Sequence, residues 1–500
     1  MRGGNRRDPI SCNGKMLCVT LDGRALRLFY PLKLEGISMT AFQALLIRLV
    51  DALHSYILVG WLVVCGVFFT IKTGCVQLSL LKPAFAALAE KRGKGVSSFQ
   101  ALMISTASRV GAGNIVGVAT AIAFGGKGAV FWMWVSAFFG AASAFVESTL
   151  AQAYKTRTAC GFRGGPAYYI EMGLKSRSMG VLFALCLVFA YAYGFNALQA
   201  YNIVSTLSYY GKDSSLWVQI LAVLLSFLLA FVIFGGVARI SVVSSVIVPV
   251  MAVGYVFLGL WVLALNVYRL PALFFEICRE GLSLTAFAGG TFGSVVVIGI
   301  KRGLLSHEAG MGSAPNAAAS AEVSHPVVQG LVQALSVFID TMLICSVTAF
   351  VLLLSDVAGS VDVSGMQFVQ RALSKQVGPV GVHLVTLAIF LFAFSSLMGN
   401  YYYAESNVRF IKDHKMVLSV FRVTCVSAVF VGAHASFHFV WGVADLFMVF
   451  MTVINLIAIV TLHPVALYLL RDYRKQYRAG NVPVFFQEHL VFPEKMACRE

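Results

Sequence analysis

The sequence predicts an all-α polytopic membrane protein with about eleven transmembrane helices, arranged as one extra helix plus an inverted five-and-five repeat whose first helices are broken. Three observations carry this. Of its 500 residues, 59% are hydrophobic and only 12% charged, with a mean hydropathy of +0.81. Soluble domains run at about 45–50% apolar and about 25% charged. The apolar residues form long runs, each near or above the roughly 20 residues that cross a bilayer. Two of those runs are interrupted by glycines and polar residues, at Gly111-Ala112-Gly113-Asn114 and at Ser306-His307-Glu308-Ala309-Gly310-Met311-Gly312.

Residues 1–50 form a basic N-terminal extension and an amphipathic segment with no apolar signal-peptide core. Two readings stay open for 1–38: a genuine extension, or an over-long start preceding Met39. Residues 51–98 hold the first span (52–71) and a basic loop. The first five-helix repeat covers 99–266, with spans at 99–124 (broken), 128–154, 179–207, 216–235 and 241–266. The second covers 267–470, with spans at 285–322 (broken), 327–355, 380–411, 416–433 and 440–470. Residues 471–500 are a cytoplasmic tail. An odd number of spans per repeat forces the second copy to insert upside down. The repeat is read from hydropathy and from the paired breaks, because the halves share no obvious residue identity.

Charge fixes the orientation. If 99–124 enters from the cytoplasm, the inner loops carry Lys72, Lys82, Lys91, Arg92, Lys94, Lys155, Arg157, Arg163, Lys175, Arg177, Arg239, Arg409, Lys412 and Lys415. The outer loops hold only Lys127, Lys212, Arg269, Arg279, Arg371 and Lys375. That bias obeys the positive-inside rule, although the basic stretch 1–38 falls on the outside. The formal net charge of +16 therefore reflects membrane topology and implies no nucleic-acid partner. The ten cysteines are scattered singly with no Cys-x-x-Cys pair, which supports neither a zinc site nor a disulfide framework.

Polar groups and broken helices at membrane depth are tolerated only where protein encloses them. Paired breaks in two half-repeats point to a transporter's binding site. At the first break, Gly111 and Gly113 let the backbone unwind and approach a ligand. The amides of the restarting helix suit a carboxylate, and the carbonyls near Ala107 and Val110 suit a hard cation. The bland alternative is close helix packing through small residues; Arg109 and Asn114 in the same run favour function. At the second break the rival is a cytoplasmic loop, since 283–300 could cross unaided. Ser395 and Ser396 place two hydroxyls mid-helix beside Asn400, although serines often bond back to their own helix. Gln199 and Asn202 add amides. Intramembrane Glu147, Asp340, Glu405 and Asp445 are functional candidates by default, with pairing to Arg109 or Arg302 as the structural alternative. His434, His438 and His463 lack metal-ligand spacing.

With these residues in view, the chain resembles the alanine or glycine:cation symporter family from about Ser55 to Tyr473. Four stretches carry the likeness: Val110-Gly-Ala-Gly-Asn-Ile-Val-Gly-Val-Ala, Gly126-Lys-Gly-Ala-Val-Phe-Trp-Met-Trp-Val, Gly164-Gly-Pro-Ala-Tyr-Tyr-Ile-Glu-Met-Gly-Leu174, and Lys301-Arg-Gly-Leu-Leu-Ser-His-Glu-Ala-Gly-Met-Gly-Ser-Ala-Pro315. The resemblance implies a leucine-transporter-like fold in the bacterial inner membrane. It implies uptake of small neutral amino acids, with sodium as coupling ion and no other cofactor. Gly111, Gly113 and Asn114 match the family's unwound substrate segment, Gln199 a glutamine near the substrate, and Ser306, His307 and Gly310 the second contact region. Sodium would lie between the carbonyls of Ala107 and Val110 and the hydroxyls of Ser395 and Ser396. Three positions depart: Ala112 stands where Thr is usual, His307 where Asn is usual, and Asn400 where Trp is frequent. These imply an altered or roomier pocket lined also by Ala112, Ser396 and Asn400, and His307 could make transport pH-dependent.

Rival readings are a proton-coupled transporter using His307 or Glu147, a transporter-like amino-acid sensor, and a membrane-embedded enzyme. The enzyme is disfavoured because no His-Glu-x-x-His, Gly-x-Ser-x-Gly or nucleophile–base signature occurs. Membrane lipid is the only surrounding partner implied, and a monomer is the working expectation.

Overall fold

The structure, a computed structural model, describes residues 53–90, 95–158, 161–211, 214–283, 294–357, 365–435 and 437–485. The extension at 1–50 and the tail beyond Phe485 lie outside the described residues.

A π-helical turn, Leu53–Leu58, runs into α1 (Val59–Lys72) and two short helices, α2 (Val76–Ser79) and α3 (Leu81–Leu88). The first broken span follows as α4 (Ser98–Arg109), a 3-10 turn over Ala112–Asn114, and α5 (Val116–Gly125), bent by 62°. Its start is set locally. Gln100 N donates to Ser97 Oγ at 3.1 Å and Ser97 N to Gln100 Oε1 at 3.0 Å, a reciprocal capping box. Next come α6 (Gly128–Ala153), a short hairpin of β1 (Thr156–Thr158) and β2 (Gly161–Arg163) with Thr156 opposite Arg163, and α7 (Pro166–Gly173). One long span, Arg177–Tyr210, comprises α8 (Arg177–Val188), a π turn at Phe189–Phe195, α9 (Asn196–Ser205) and a 3-10 end. Then come α10 (Ser215–Ile233), α11 (Gly236–Leu265) and α12 (Leu270–Gly281).

The second break lies between α13 (Ser294–His307) and a single turn α14 (Pro315–Ala318), joined by an irregular stretch. α15 (Pro326–Phe338), a π turn at Ile339–Cys345 and α16 (Ser346–Leu354) make one span. α17 (Met366–Val377), α18 (Pro379–Ile411), α19 (Lys415–His434) and α20 (Phe437–Arg478) follow.

Among the described residues, eight helices are long and apolar enough to cross a membrane, or nine with the bent pair counted as one span. The other two of the expected eleven do not pass that measure. α1 is 14 residues long, and the expected span at 285–322 begins outside the described residues: α13 is described from Ser294 and ends at His307, before the break.

α6 sits at the centre, against α1, α12, α13 and α15. Its approach to α15 is backbone-close: a Cβ on Gly330 would meet Phe145 O at 2.9 Å and Thr149 Oγ1 at 2.2 Å. Small residues serve this purpose where lipid supplies no hydrophobic drive for helix association. α10, α11 and α19 turn large apolar side chains outward, among them Phe227, Phe231, Val250, Phe257, Val420 and Val431. An apolar exterior over a polar interior is what a lipid solvent selects.

Candidate functional site

Arg109 ends α4, and the chain runs extended through Gly111 before the 3-10 turn. A Cβ on Gly111 would lie 2.3 Å from Ser396 Oγ and 2.8 Å from Gln199 Nε2, so a side chain here would displace Ser396 or Gln199 from its present position. The amides released here are engaged within the protein. Gly111 N donates to Asn114 Oδ1 at 3.2 Å and Ala112 N to Gln199 Oε1 at 3.1 Å. Two of the amides expected to cradle an anion are thus taken by side-chain oxygens.

The carbonyls at the end of α4 face α18. Ser396 Oγ lies 3.0 Å from Ala107 O and 3.1 Å from Ser108 O, and Ser395 Oγ lies 3.4 Å from Ala107 O. Both hydroxyls also reach Phe392 O, at 2.8 Å from Ser395 and 3.0 Å from Ser396. The back-bonding alternative and the interhelix cluster thus coexist. All these residues are buried, as is Val110 at the turn that ends α4. Five oxygens converge: the carbonyls of Ala107, Ser108 and Phe392 and the two serine hydroxyls. An all-oxygen set suits a hard cation.

The second break is enclosed by protein. Every residue from Ser306 to Ala321 is buried, so this run is no solvated loop. Glu308, Gly310 and Gly312 take φ of 52°, 80° and 82°, a region uncommon for a residue with a side chain. Glu147 of α6 satisfies the freed amides, accepting from Gly310 N at 3.1 Å and Gly312 N at 3.0 Å. Asn455 Nδ2 adds a third donor to Glu147 at 2.8 Å and also bonds Gly310 O at 2.9 Å. Tyr169 in turn donates its hydroxyl to Asn455 Oδ1.

Between the breaks stands Asp340, carried by the π turn of the α15–α16 span, a distortion often found at functional sites. Its carboxylate accepts from Asn114 Nδ2, from Ser306 Oγ at 2.6 Å and from Thr341 Oγ1 at 3.2 Å. One buried carboxylate thus ties the first break to the second.

A small cavity opens beside this junction. Ser108, Arg109 and Gly113 line it from the first break, and Leu305 and Glu308 from the second. Phe195, Leu198 and Gln199 come from the π turn and α9, and Asn400 from α18. Its wall carries one cation and one anion. Glu308 accepts from Ser313 Oγ at 2.7 Å, and Ser108 Oγ, 3.3 Å from Glu308, directs its one proton to Asn400 Oδ1 at 2.7 Å.

Comparison with known proteins bears on what such a site serves. A sequence profile of the sodium:alanine symporter family matches residues 39–487. The chain belongs to the sodium:alanine symporter family. It is 48% identical to the amino-acid carrier protein AlsT of Bacillus subtilis over 434 residues, covering 86% of this chain and 91% of that one. It is 42% identical to the probable sodium/glutamine symporter GlnT of Bacillus subtilis (90% and 94% covered), and 36% identical to the sodium/alanine symporter AgcS of Methanococcus maripaludis (83% and 94% covered).

Within this symporter framework the sequence-selected residues divide into groups. Gly113, Gln199 and Asn400 line the cavity, whereas Gly111, Ala112, Asn114 and Ser306 form the layer behind it. Ala107, Ser395 and Ser396 meet in the oxygen cluster. His307 turns away from the cavity: its Nδ1 accepts from Ala309 N at 3.1 Å, and its Nε2 lies 3.3 Å from Ser136 Oγ on α6. Gly310 is likewise held by Glu147, as scaffold for the break. Glu405 pairs with Arg409 at 2.6 Å, and Asp445 lies 3.5 Å from both His54 and Lys301, with the charge of Arg302 also acting on it. Sequence reading gave Ser108 and Glu308 no role of their own. The signal for Glu308 was present, because it is the one carboxylate inside either break. Ser108 carried none, since its place comes from facing the oxygen cluster and the cavity at once.

Proposed function

We propose that this chain is a secondary active symporter of the bacterial inner membrane that couples sodium influx to uptake of small neutral amino acids, alanine and glycine foremost, by alternating access. The amino acid occupies the cavity between the two breaks. Sodium occupies the oxygen cluster formed by the α4 carbonyls, Ser395 and Ser396. The observation that carries this reading is that one helix end, Ala107 to Arg109, serves both places. Its carbonyls face the serines while Ser108 and Arg109 line the cavity. A ligand at either place bridges α4 to another element and favours the closed arrangement, so each ligand strengthens the other's hold. The sodium gradient supplies the work, at about 2.3 kcal/mol for each charge moved through 100 mV. The inverted five-and-five architecture is part of the same proposal, supported by two breaks that adjoin one cavity.

The test is uptake of labelled alanine, glycine, serine and glutamine into proteoliposomes, with and without an inward sodium gradient. Accumulation of at least one of them only with the gradient supports the reading. Sodium-independent flux, or no flux of any, would sink it. The buried carboxylates at the breaks, Asp340 and Glu308, favour a second reading in which a proton replaces sodium. Accumulation without sodium that collapses on adding an uncoupler would select it.

A further inference from the structure

We propose that Arg109 and Glu308 are the two charged groups that hold the zwitterion in the cavity, Arg109 taking the substrate carboxylate and Glu308 its ammonium. This rests on the reading above that the cavity carries an amino acid. The first support is the state of Arg109. Its side chain is 2% exposed, yet Nε, Nη1 and Nη2 make no hydrogen bond among the described residues. A guanidinium has five donors in a rigid planar fork, and burying it with none of them used is costly unless a ligand fills them. The fork fits a carboxylate in two-pronged fashion.

The second support comes from elimination of the other anchors. The amides of Gly111 and Ala112 are taken by Asn114 and Gln199, and those of Gly310 and Gly312 by Glu147. Neither break therefore offers these amides to a substrate, although helix ends are the usual anion sites. Two other buried carboxylates already have donors: Glu147 holds those two amides and Asn455, and Asp340 holds Asn114, Ser306 and Thr341. On the cavity wall the two oxygens of Glu308 meet the hydroxyls of Ser313 and Ser108, with the Tyr191 hydroxyl beside them. An ionised carboxylate offers about four acceptor positions, which leaves room for an ammonium. Arg109 and Glu308 thus present opposite charges to one small space, as the two ends of an amino acid require. The competing role for Arg109 is a general counter-charge for the surrounding carboxylates, and that role does not depend on which groups a ligand carries.

The experiment compares ligands that lack one charge. Affinities for alanine and for alaninamide, whose carboxylate is masked, are read from ligand-induced thermal shifts of the purified protein in sodium. In the Arg109→Gln variant the preference for alanine over alaninamide should fall at least tenfold, chiefly through weaker alanine binding. In Glu308→Gln the preference for alanine over propionate should fall similarly. An unchanged preference in Arg109→Gln, or equal loss of both ligands, assigns Arg109 to the scaffold and overturns the proposal. If Arg109→Gln does not fold, Arg109→Lys is read the same way: it keeps the charge without the fork, and a preference reduced severalfold supports the assignment while an unchanged one overturns it. If the unaltered protein binds no amino acid at all, the functional reading has failed rather than this assignment.

Discussion

Ser396 donates its hydroxyl to the carbonyl of Ser108 at 3.1 Å, while the hydroxyl of that same Ser108 donates to Asn400 at 2.7 Å and reaches Glu308 at 3.3 Å. One residue thus has its backbone in the oxygen cluster and its side chain in the cavity wall. Any displacement of α4 that opens one place disturbs the other. Coupling between ion and substrate needs such a shared element, because a ligand shifts an equilibrium only through contacts that differ between states.

Ser396→Ala removes a hydroxyl from the cluster and leaves the cavity lining intact. The sodium concentration for half-maximal uptake should rise about tenfold, equivalent to losing roughly 1.4 kcal/mol. Alanine affinity at saturating sodium should change much less. Sodium titration of labelled-alanine uptake checks this, and an unchanged sodium requirement would remove Ser396 from the ion site.

Gly111→Ala is predicted to be far more damaging than its one methyl suggests. The added Cβ would collide with Ser396 Oγ at 2.3 Å and Gln199 Nε2 at 2.8 Å, forcing both groups from their partners. Uptake should fall more than tenfold while the protein still reaches the membrane. Gly117→Ala, on the same broken span with nothing within 4 Å of the new Cβ, is the control and should retain most activity.

Asp340→Asn tests the tie between the two breaks. The amide keeps the shape but turns one acceptor into a donor facing Asn114 or Ser306. Losing charge-assisted bonds of about 1.5–3 kcal/mol each should lower stability by roughly 2–4 kcal/mol. Uptake should drop at least tenfold. Thermal unfolding in detergent and transport assays together read this, and wild-type behaviour in both would show that the carboxylate does not hold the breaks together.

The sequence displayed the membrane class, most of the long apolar helices and the first break, because long apolar runs and glycine interruptions are local signals. It also placed Ser395 and Ser396 against Ala107 through a resemblance, and the structure brings those residues together. It could not show where the freed amides go. Glu147 lies 163 residues before Gly310 in the chain, and no periodicity links them. For the same reason His307 read as a pocket residue from its motif, whereas its ring packs on α6 beside Ser136 and Gly140. Arg109 looked like a partner for an acid, and its freedom from hydrogen bonds is visible only in three dimensions.

His325, just before α15, makes a prediction about pH. Its ring packs between Tyr473 and Phe485, with centroids 5.3 and 5.5 Å away. Its Nδ1 accepts from Val327 N at 3.2 Å, capping the helix, and its Nε2 lies 3.2 Å from Asp472. Burial pushes its pKa down to about 4, outweighing the opposite pull of Asp472. The folded state therefore prefers the neutral ring. Above pH about 6.5 both folded and unfolded chains hold it neutral, and the folded state carries no penalty. As pH falls from about 6.5 towards 4 the unfolded chain binds the proton first, and stability drops by up to about 3 kcal/mol. His325→Asn retains a capping acceptor and removes the titration. Its melting temperature in detergent should fall less steeply between pH 6.5 and 4 than that of the unaltered protein. Equal slopes would show that His325 is not protonated selectively on unfolding, and that the pH sensitivity around it lies with other groups.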